Sequence, residues 1–133
     1  ESTPPSTSDF VQVESGSRHT CARKVDNTIE CWGRNDYGEG SSPSGEFVDL
    51  SSGSRHSCGI DSSGSIQCWG VGEGDDGDYG QVTDTPAGNN FVYVVSGNWH
   101  NCALTDEGSV QCWGRDNYSQ VSDIPNGYVS YPF

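Results

Sequence analysis

Hydrophobic and polar residues alternate along this chain in short runs, and the runs recur three times. Phe10-Val11-Gln12-Val13, Phe47-Val48-Asp49-Leu50 and Phe91-Val92-Tyr93-Val94 each have the β-branched and aromatic content of a strand. Each leads into a polar turn that ends in histidine: Ser15-Gly16-Ser17-Arg18-His19, Ser52-Gly53-Ser54-Arg55-His56 and Ser96-Gly97-Asn98-Trp99-His100. The most regular stretch follows. It runs Cys-Ala-Leu-Thr-Asp-Glu-Gly-Ser-Val-Gln-Cys-Trp-Gly from Cys102 to Gly114, with counterparts from Cys21 to Gly33 and from Cys58 to Gly70. No stretch has the 3.6-residue period of a long amphipathic helix, so the pattern predicts an all-β chain.

Nine residues separate the two cysteines of each copy. Setting Cys21 opposite Cys31 on antiparallel strands puts Arg23 opposite Ile29 and Thr20 opposite Trp32. The second copy then pairs Ile60 with Ile66 and Ser57 with Trp69, and the third pairs Leu104 with Val110 and Asn101 with Trp113. Side chains alternate along a strand, so the cysteines share a face with the aliphatic pairs. The tryptophans take the other face, beside Ala22, Gly59 and Ala103. Asn27, Gly64 and Gly108 hold one position just past each midpoint, where a short hairpin loop calls for positive φ.

Directly opposed cysteines on a hairpin are close enough to bond with little adjustment. The spacing predicts three disulfides, Cys21–Cys31, Cys58–Cys68 and Cys102–Cys112, each contributing about 2–3 kcal/mol on the chain-entropy account. The alternative is zinc, because His19, His56 and His100 each stand two residues before a cysteine. No Cys-x2-Cys knuckle supports it.

The strand starts at Phe10, Phe47 and Phe91 are 37 and 44 residues apart, a period typical of solenoids and propeller blades. The chain divides into a Ser/Thr/Pro-rich lead-in (1–9), three repeats (10–46, 47–90 and 91–127) and a terminal piece (128–133). Each Trp-Gly is followed by a turn-rich arm: Asp36-Tyr37-Gly38-Glu39, Asp78-Tyr79-Gly80-Gln81 and Asn117-Tyr118-Ser119-Gln120. The arm tyrosines are expected to pack between repeats. Repeat 2 carries an insertion before Tyr79 whose carboxylates, Glu73, Asp75, Asp76 and Asp78, are dense enough for a calcium loop. Its glycines break the usual alternation of such loops, and a solvated loop is the alternative.

Composition sharpens this picture. The chain has 133 residues, with 31% hydrophobic, 18 glycines and a formal charge of −13. Disulfides would compensate for a modest core and place the chain in an oxidising compartment, secreted or at the cell surface. The acidic balance opposes nucleic-acid binding and serves solubility or tolerance of high salt. No apolar run has the length of a membrane span. Asn117-Tyr118-Ser119 matches an N-glycosylation acceptor.

The order Phe-Val-x-Val-x-x-Gly-x-x-His, then Cys-Ala-Leu-Thr-Asp-Glu-Gly-Ser-Val-x-Cys-Trp-Gly, then Asn-x-Tyr-x-Gln, resembles the regulator-of-chromosome-condensation repeat. The compact length and the Pro-x-Gly of each arm are closest to the bacterial branch that includes a β-lactamase-inhibiting propeller. The resemblance covers Phe10 to Phe133 and implies β-propeller blades, usually seven to a ring. Family members include a nucleotide-exchange factor for a nuclear GTPase, enzyme inhibitors and surface proteins. The charge, the cysteine pairs and the three blades argue against the nuclear role, and no exchange or inhibitory residue of the family maps onto this sequence.

The chemistry of the residues points away from catalysis. The three histidines occupy one repeated position, whereas a catalytic group is needed once, with distinct partners. No nucleophile elbow or phosphate-binding glycine loop is present. Trp99 stands where the other repeats have Arg18 and Arg55; with Tyr93 it is a candidate glycan or protein contact, and local packing is the alternative. Tyr128-Val129-Ser130-Tyr131 reads as the first strand of an incomplete fourth repeat. Four inner strands against three hairpins leave one surplus, at Phe10, Val11 and Val13 or at Tyr128, Val129 and Tyr131. A surplus strand can pair with the edge of another copy, head to tail, giving a ring or a filament. The sequence therefore predicts a secreted, self-associating structural subunit with no enzymatic activity and no cofactor beyond the calcium candidate. A secreted module that binds a glycan or a protein is the alternative.

Overall fold

The computed structural model describes residues 9–71, 76–117 and 119–122. Among them nine strands form three antiparallel sheets with no helix. Repeat 1 contributes β1 (Phe10–Ser15), β2 (His19–Lys24) and β3 (Ile29–Gly33). Repeat 2 contributes β4 (Phe47–Ser52), β5 (His56–Asp61) and β6 (Ile66–Gly70), and repeat 3 β7 (Phe91–Ser96), β8 (His100–Thr105) and β9 (Val110–Gly114). Within each sheet the strands lie in chain order. Each sheet is one blade of a propeller-type array.

The hairpin register is the one the cysteines predict. Cys21 pairs with Cys31, Arg23 with Ile29 and Thr20 with Trp32, and the other two blades repeat this alignment. Disulfides close all three pairs, with Cα atoms 4.0 to 4.1 Å apart. Asn27, Gly64 and Gly108 have φ of 71°, 90° and 86°. Those angles let the four-residue connections close without displacing the flanking strands.

Blades stack cystine face onto tryptophan face. Cys21 and Ile29 of the first blade pack against Phe47, Leu50 and Trp69 of the second. Cys58, Ile60 and Ile66 of the second pack against Phe91, Val94, Ala103 and Trp113 of the third. Small residues on the tryptophan face make room for the inner-strand phenylalanine: a Cβ on Gly59 would lie 2.7 Å from Phe47 Cδ2. The described core is therefore two apolar layers between blades.

The inner strands carry a bulge, with register shifts between Phe10 and Gln12, Phe47 and Asp49, and Phe91 and Tyr93. The strand at Phe10, Val11 and Val13 is the inner strand of its own blade and is paired with β2. It is not a free strand. Its counterpart at Tyr128, Val129 and Tyr131 lies outside the described residues.

Candidate functional site

The turn between the first two strands of every blade emerges at one end of the array, and the arm after the third strand returns to that end. The backbone joins them there: Arg34, Val71 and Arg115 donate their amides to the carbonyls of Arg18, Arg55 and Trp99, at 2.8 to 2.9 Å. The preceding glycines, Gly33, Gly70 and Gly114, have φ of 106° to 116°. A Cβ on any of them would meet the same turn within 2.4 to 2.7 Å. The Trp-Gly dipeptide thus lets the arm leave the third strand pressed against the turn.

The Gly-x-x-His spacing has an equally local cause. Each histidine ring sits under its own turn, and a Cβ on Gly16, Gly53 or Gly97 would lie 2.1 to 2.4 Å from the imidazole Cε1 of His19, His56 or His100. Gly16 and Gly53 also abut the carbonyls of Gly53 and Gly97 in the next turn, at 2.2 and 2.5 Å from the Cβ position. The three turns line a shallow cavity of about 250 Å³, bounded by Ser15, Gly16, Ser52, Gly53, Ser96 and Gly97.

The histidines bond blade to blade. His19 Nε2 lies 2.9 Å from Ser57 Oγ, and His56 Nε2 lies 2.8 Å from Asn101 Oδ1. Asn101 Nδ2 donates to the carbonyl of Gln81, so its Oδ1 faces His56 and accepts. His56 therefore carries its proton on Nε2. Its Nδ1 is buried without a partner, as is that of His19. Burial pushes the pKa of His56 down to about 4, and burial lowers that of His19. Both are neutral cross-ties. With the cysteines joined to one another, no thiolate is left to ligate a metal beside them.

At this end, arginines and aromatic rings form a chain of contacts across the repeats. The Arg34 guanidinium lies 5.8 Å from the Tyr37 ring centroid, and Arg55 lies 5.0 Å from the same ring. Arg55 is also 5.6 Å from Trp99. Trp99 meets Tyr79 edge to face at 5.8 Å, and Arg115 lies 4.7 Å from Tyr79. The ladder Arg34–Tyr37–Arg55–Trp99–Tyr79–Arg115 ties the arm of one repeat to the turn of the next. Each such cation–ring contact contributes on the order of 0.5–1 kcal/mol at an exposed site. With Arg18, this end holds four of the five arginines of an acidic chain. Arg18, Arg34, Glu39, Arg55 and Trp99 border a cleft of about 240 Å³.

Local ion pairs hold the ladder. Arg34 donates from Nε to Asp36 at 2.7 Å. Arg55 donates from Nη1 to the Asp76 carbonyl at 2.7 Å and to the Tyr37 hydroxyl at 3.3 Å. The arms themselves are pinned by buried side chains, with Glu39 accepting the Tyr37 amide and Gln81 the Tyr79 amide. Trp113 Nε1 donates to the Gln81 carbonyl at 2.8 Å, joining the second arm to the third blade.

The structure separates some residues that the sequence grouped. Trp99 has Arg55 and Tyr79 as ring neighbours. Tyr93 stands on β7 opposite Leu104, half exposed. Of the calcium candidates, Glu73 and Asp75 lie outside the described residues; Asp76 faces Arg55, and Asp78 accepts the Gly80 amide. Among the described residues no three His, Cys, Asp or Glu side chains cluster as a metal site. Asn117 is exposed, with its side-chain oxygen accepting from Gln120. Tyr37 and Tyr79 do pack between repeats, as the arm motif suggested; Tyr118 lies outside the described residues. The ladder itself went unread, although the recurrence of Arg or Trp just before each His was a visible signal.

The repeated units match a known sequence family. The model of the regulator of chromosome condensation (RCC1) repeat matches residues 10–39, 47–81 and 91–120. The chain belongs to the RCC1 repeat family. No curated protein sequence matches it. Among solved structures it is similar to the ectodomain of the Physcomitrella patens receptor kinase CR4, at 24% identity and a TM-score of 0.72, covering 92% of this chain and 35% of that one. The CRINKLY WD40 ectodomain of the Arabidopsis thaliana receptor kinase ACR4 is also 24% identical, at a TM-score of 0.60 over 80% of this chain and 36% of that one. Saccharomyces cerevisiae Prp20p is 16% identical, at a TM-score of 0.65 over 85% and 33%. These likenesses show the fold: RCC1 repeats built as propeller blades. The chain spans about a third of the length of each of these structures. The disulfides and the ectodomain likeness are consistent with an extracellular location.

Proposed function

We propose that this chain is an extracellular protein-binding module of propeller type, which offers the turn end of its blades to a partner. The observation that carries the reading is the arginine–aromatic ladder. Arg, Tyr and Trp are the side chains that most often anchor protein interfaces. Here ring and hydrogen-bond contacts hold them on the turns and arms beside the strands, which lowers the cost of ordering them on binding. The cleft is smaller than the ~300–1,000 Å³ pockets that engulf small molecules, which suits a protein surface better than an enclosed ligand. Prp20p, alike in fold, has binding properties towards Gsp1p and histones.

The test is an array of extracellular proteins alongside a glycan array. Saturable binding to a protein, weakened at least about tenfold by Arg55→Ala with the melting temperature checked, supports the reading. Binding to glycans alone, lost on Trp99→Ala, would move it to carbohydrate recognition. Binding unaffected by either change would overturn it.

Head-to-tail self-association is the second reading. It is favoured by Val13, which is 63% exposed where its equivalents Leu50 and Val94 are 1% and 2% exposed. Among the described residues, no blade packs on the tryptophan face of the first blade as one does on those of the other two.

A further inference from the structure

The cleft at the turn end lies across the junction of the first two repeats. Three of the residues that border it carry guanidinium groups, Arg18, Arg34 and Arg55, and one carries a carboxylate, Glu39. Glu39 is buried, and one of its oxygens is engaged by the Tyr37 amide within the arm. The hydroxyls of Ser17 and Ser54, 3.0 Å apart, and the Trp99 ring complete the border. On a chain of formal charge −13, this is a local reversal of sign.

The two arginines at the junction are held but not used up. The Tyr37 ring lies between them, 5.8 Å from Arg34 and 5.0 Å from Arg55. Arg34 donates from Nε to Asp36, and Arg55 from Nη1 to the Asp76 carbonyl and the Tyr37 hydroxyl. These bonds use one nitrogen of each group. A guanidinium has five N–H donors in a planar fork, so each keeps donors for a further acceptor. The acids that face them are open to water: the side chain of Asp36 is 64% exposed and that of Asp76 is 89% exposed. Ion pairs this exposed are weak, so a second carboxylate can take the place of either acid at little cost.

We infer that the cleft takes the carboxylates of an acidic segment of a partner protein, with Arg34 and Arg55 as the anchors and Asp36 as the counterion the segment displaces. A protein carboxylate is favoured over a sulfated sugar because Arg34 already grips one, that of Asp36, at 2.7 Å. A held, planar guanidinium can bond a carboxylate through two parallel N–H groups. The reversal of sign fixes where an acidic segment docks, because most of the remaining surface repels it. This inference rests on the protein-binding reading and specifies the chemistry of the partner.

The experiment is an NMR titration of the full chain with a capped tetraglutamate peptide, followed at the arginine Nε–H signals. Tetraglutamine and a heparin tetrasaccharide are the comparison ligands. The signals of Arg34 and Arg55 are expected to shift saturably with tetraglutamate. That of Arg23, bonded to Gln12 and Asn27 on the first hairpin, should stay still. Raising salt from about 50 to 300 mM should weaken binding at least about threefold. Arg34→Gln should weaken it more than about fivefold, and Asp36→Asn should tighten it about twofold. Opposite signs at one ion pair are not produced by a general loss of structure. If Arg34→Gln lowers the melting temperature, Asp36→Asn, at an exposed site, decides alone. Shifts that tetraglutamine reproduces, or tetraglutamate binding that neither variant changes, overturn the acidic partner. Binding of the tetrasaccharide without the peptide overturns it as well. Capture of an extracellular protein through Arg55 would still stand in those cases, and failure of both peptide binding and protein capture overturns the two readings together.

Discussion

The imidazole of His56 lies 2.8 Å from the side-chain oxygen of Asn101, and both groups are wholly buried between the second and third blades. Each polar group satisfies part of the other's need where water cannot. Buried polar pairs of this kind cost stability when one member changes.

The first consequence is a dependence on acid. With its folded pKa near 4 against an ordinary 6.5, His56 binds fewer protons in the folded state than in the unfolded one. Its contribution is complete above pH 6.5 and is lost as pH falls towards 4, by at most roughly 3 kcal/mol. His19 acts in the same direction. Protonation of the many carboxylates relieves repulsion and opposes this trend. Comparing melting temperatures with His56→Gln across pH 7 to 4 isolates the histidine: the variant should show the shallower loss.

A steric prediction separates crowding from backbone strain. Gly53→Ala places a Cβ 2.1 Å from His56 Cε1 and 2.5 Å from the Gly97 carbonyl. Gly45→Ala meets nothing within 4 Å but carries a φ of 104°. Overpacking should cost Gly53→Ala about 1–3 kcal/mol or more, and strain should cost Gly45→Ala about 1 kcal/mol. Urea unfolding ranks the two, and Gly53→Ala should be the less stable.

The three disulfides should not be equal. Loops of one length contribute alike, about 2–3 kcal/mol each on the chain-entropy account. Cys58 also belongs to the layer with Phe91 and Val94, whereas Cys102 is half-buried. Replacing Cys58 and Cys68 by alanine should therefore lower the melting temperature more than replacing Cys102 and Cys112.

The tryptophans offer a paired test. Trp113 Nε1 donates to the Gln81 carbonyl, whereas Trp69 Nε1 is buried without a partner. Phenylalanine at 113 removes a made hydrogen bond, worth about 1 kcal/mol. At 69 it removes an unsatisfied donor. Trp113→Phe should be the more destabilising of the two in chemical unfolding.

The sequence by itself determined the blades. Cysteine spacing, a φ-tolerant residue past each midpoint and alternation of faces specify a hairpin register, because all three act between residues close along the chain. Gly16 and His19, or Trp32 and Gly33, are legible for the same reason, since each motif packs against its own turn. Tertiary structure alone decided how the blades meet. That His56 finds Asn101, that Arg55 stands between Tyr37 and Trp99, and that Val13 lies open while Leu50 is covered all depend on the stacking of one sheet upon another. Identical local sequence is compatible with either outcome at such positions. The stacking layer, a cystine face against a tryptophan face, sets which side chains are removed from water and which remain available to a partner.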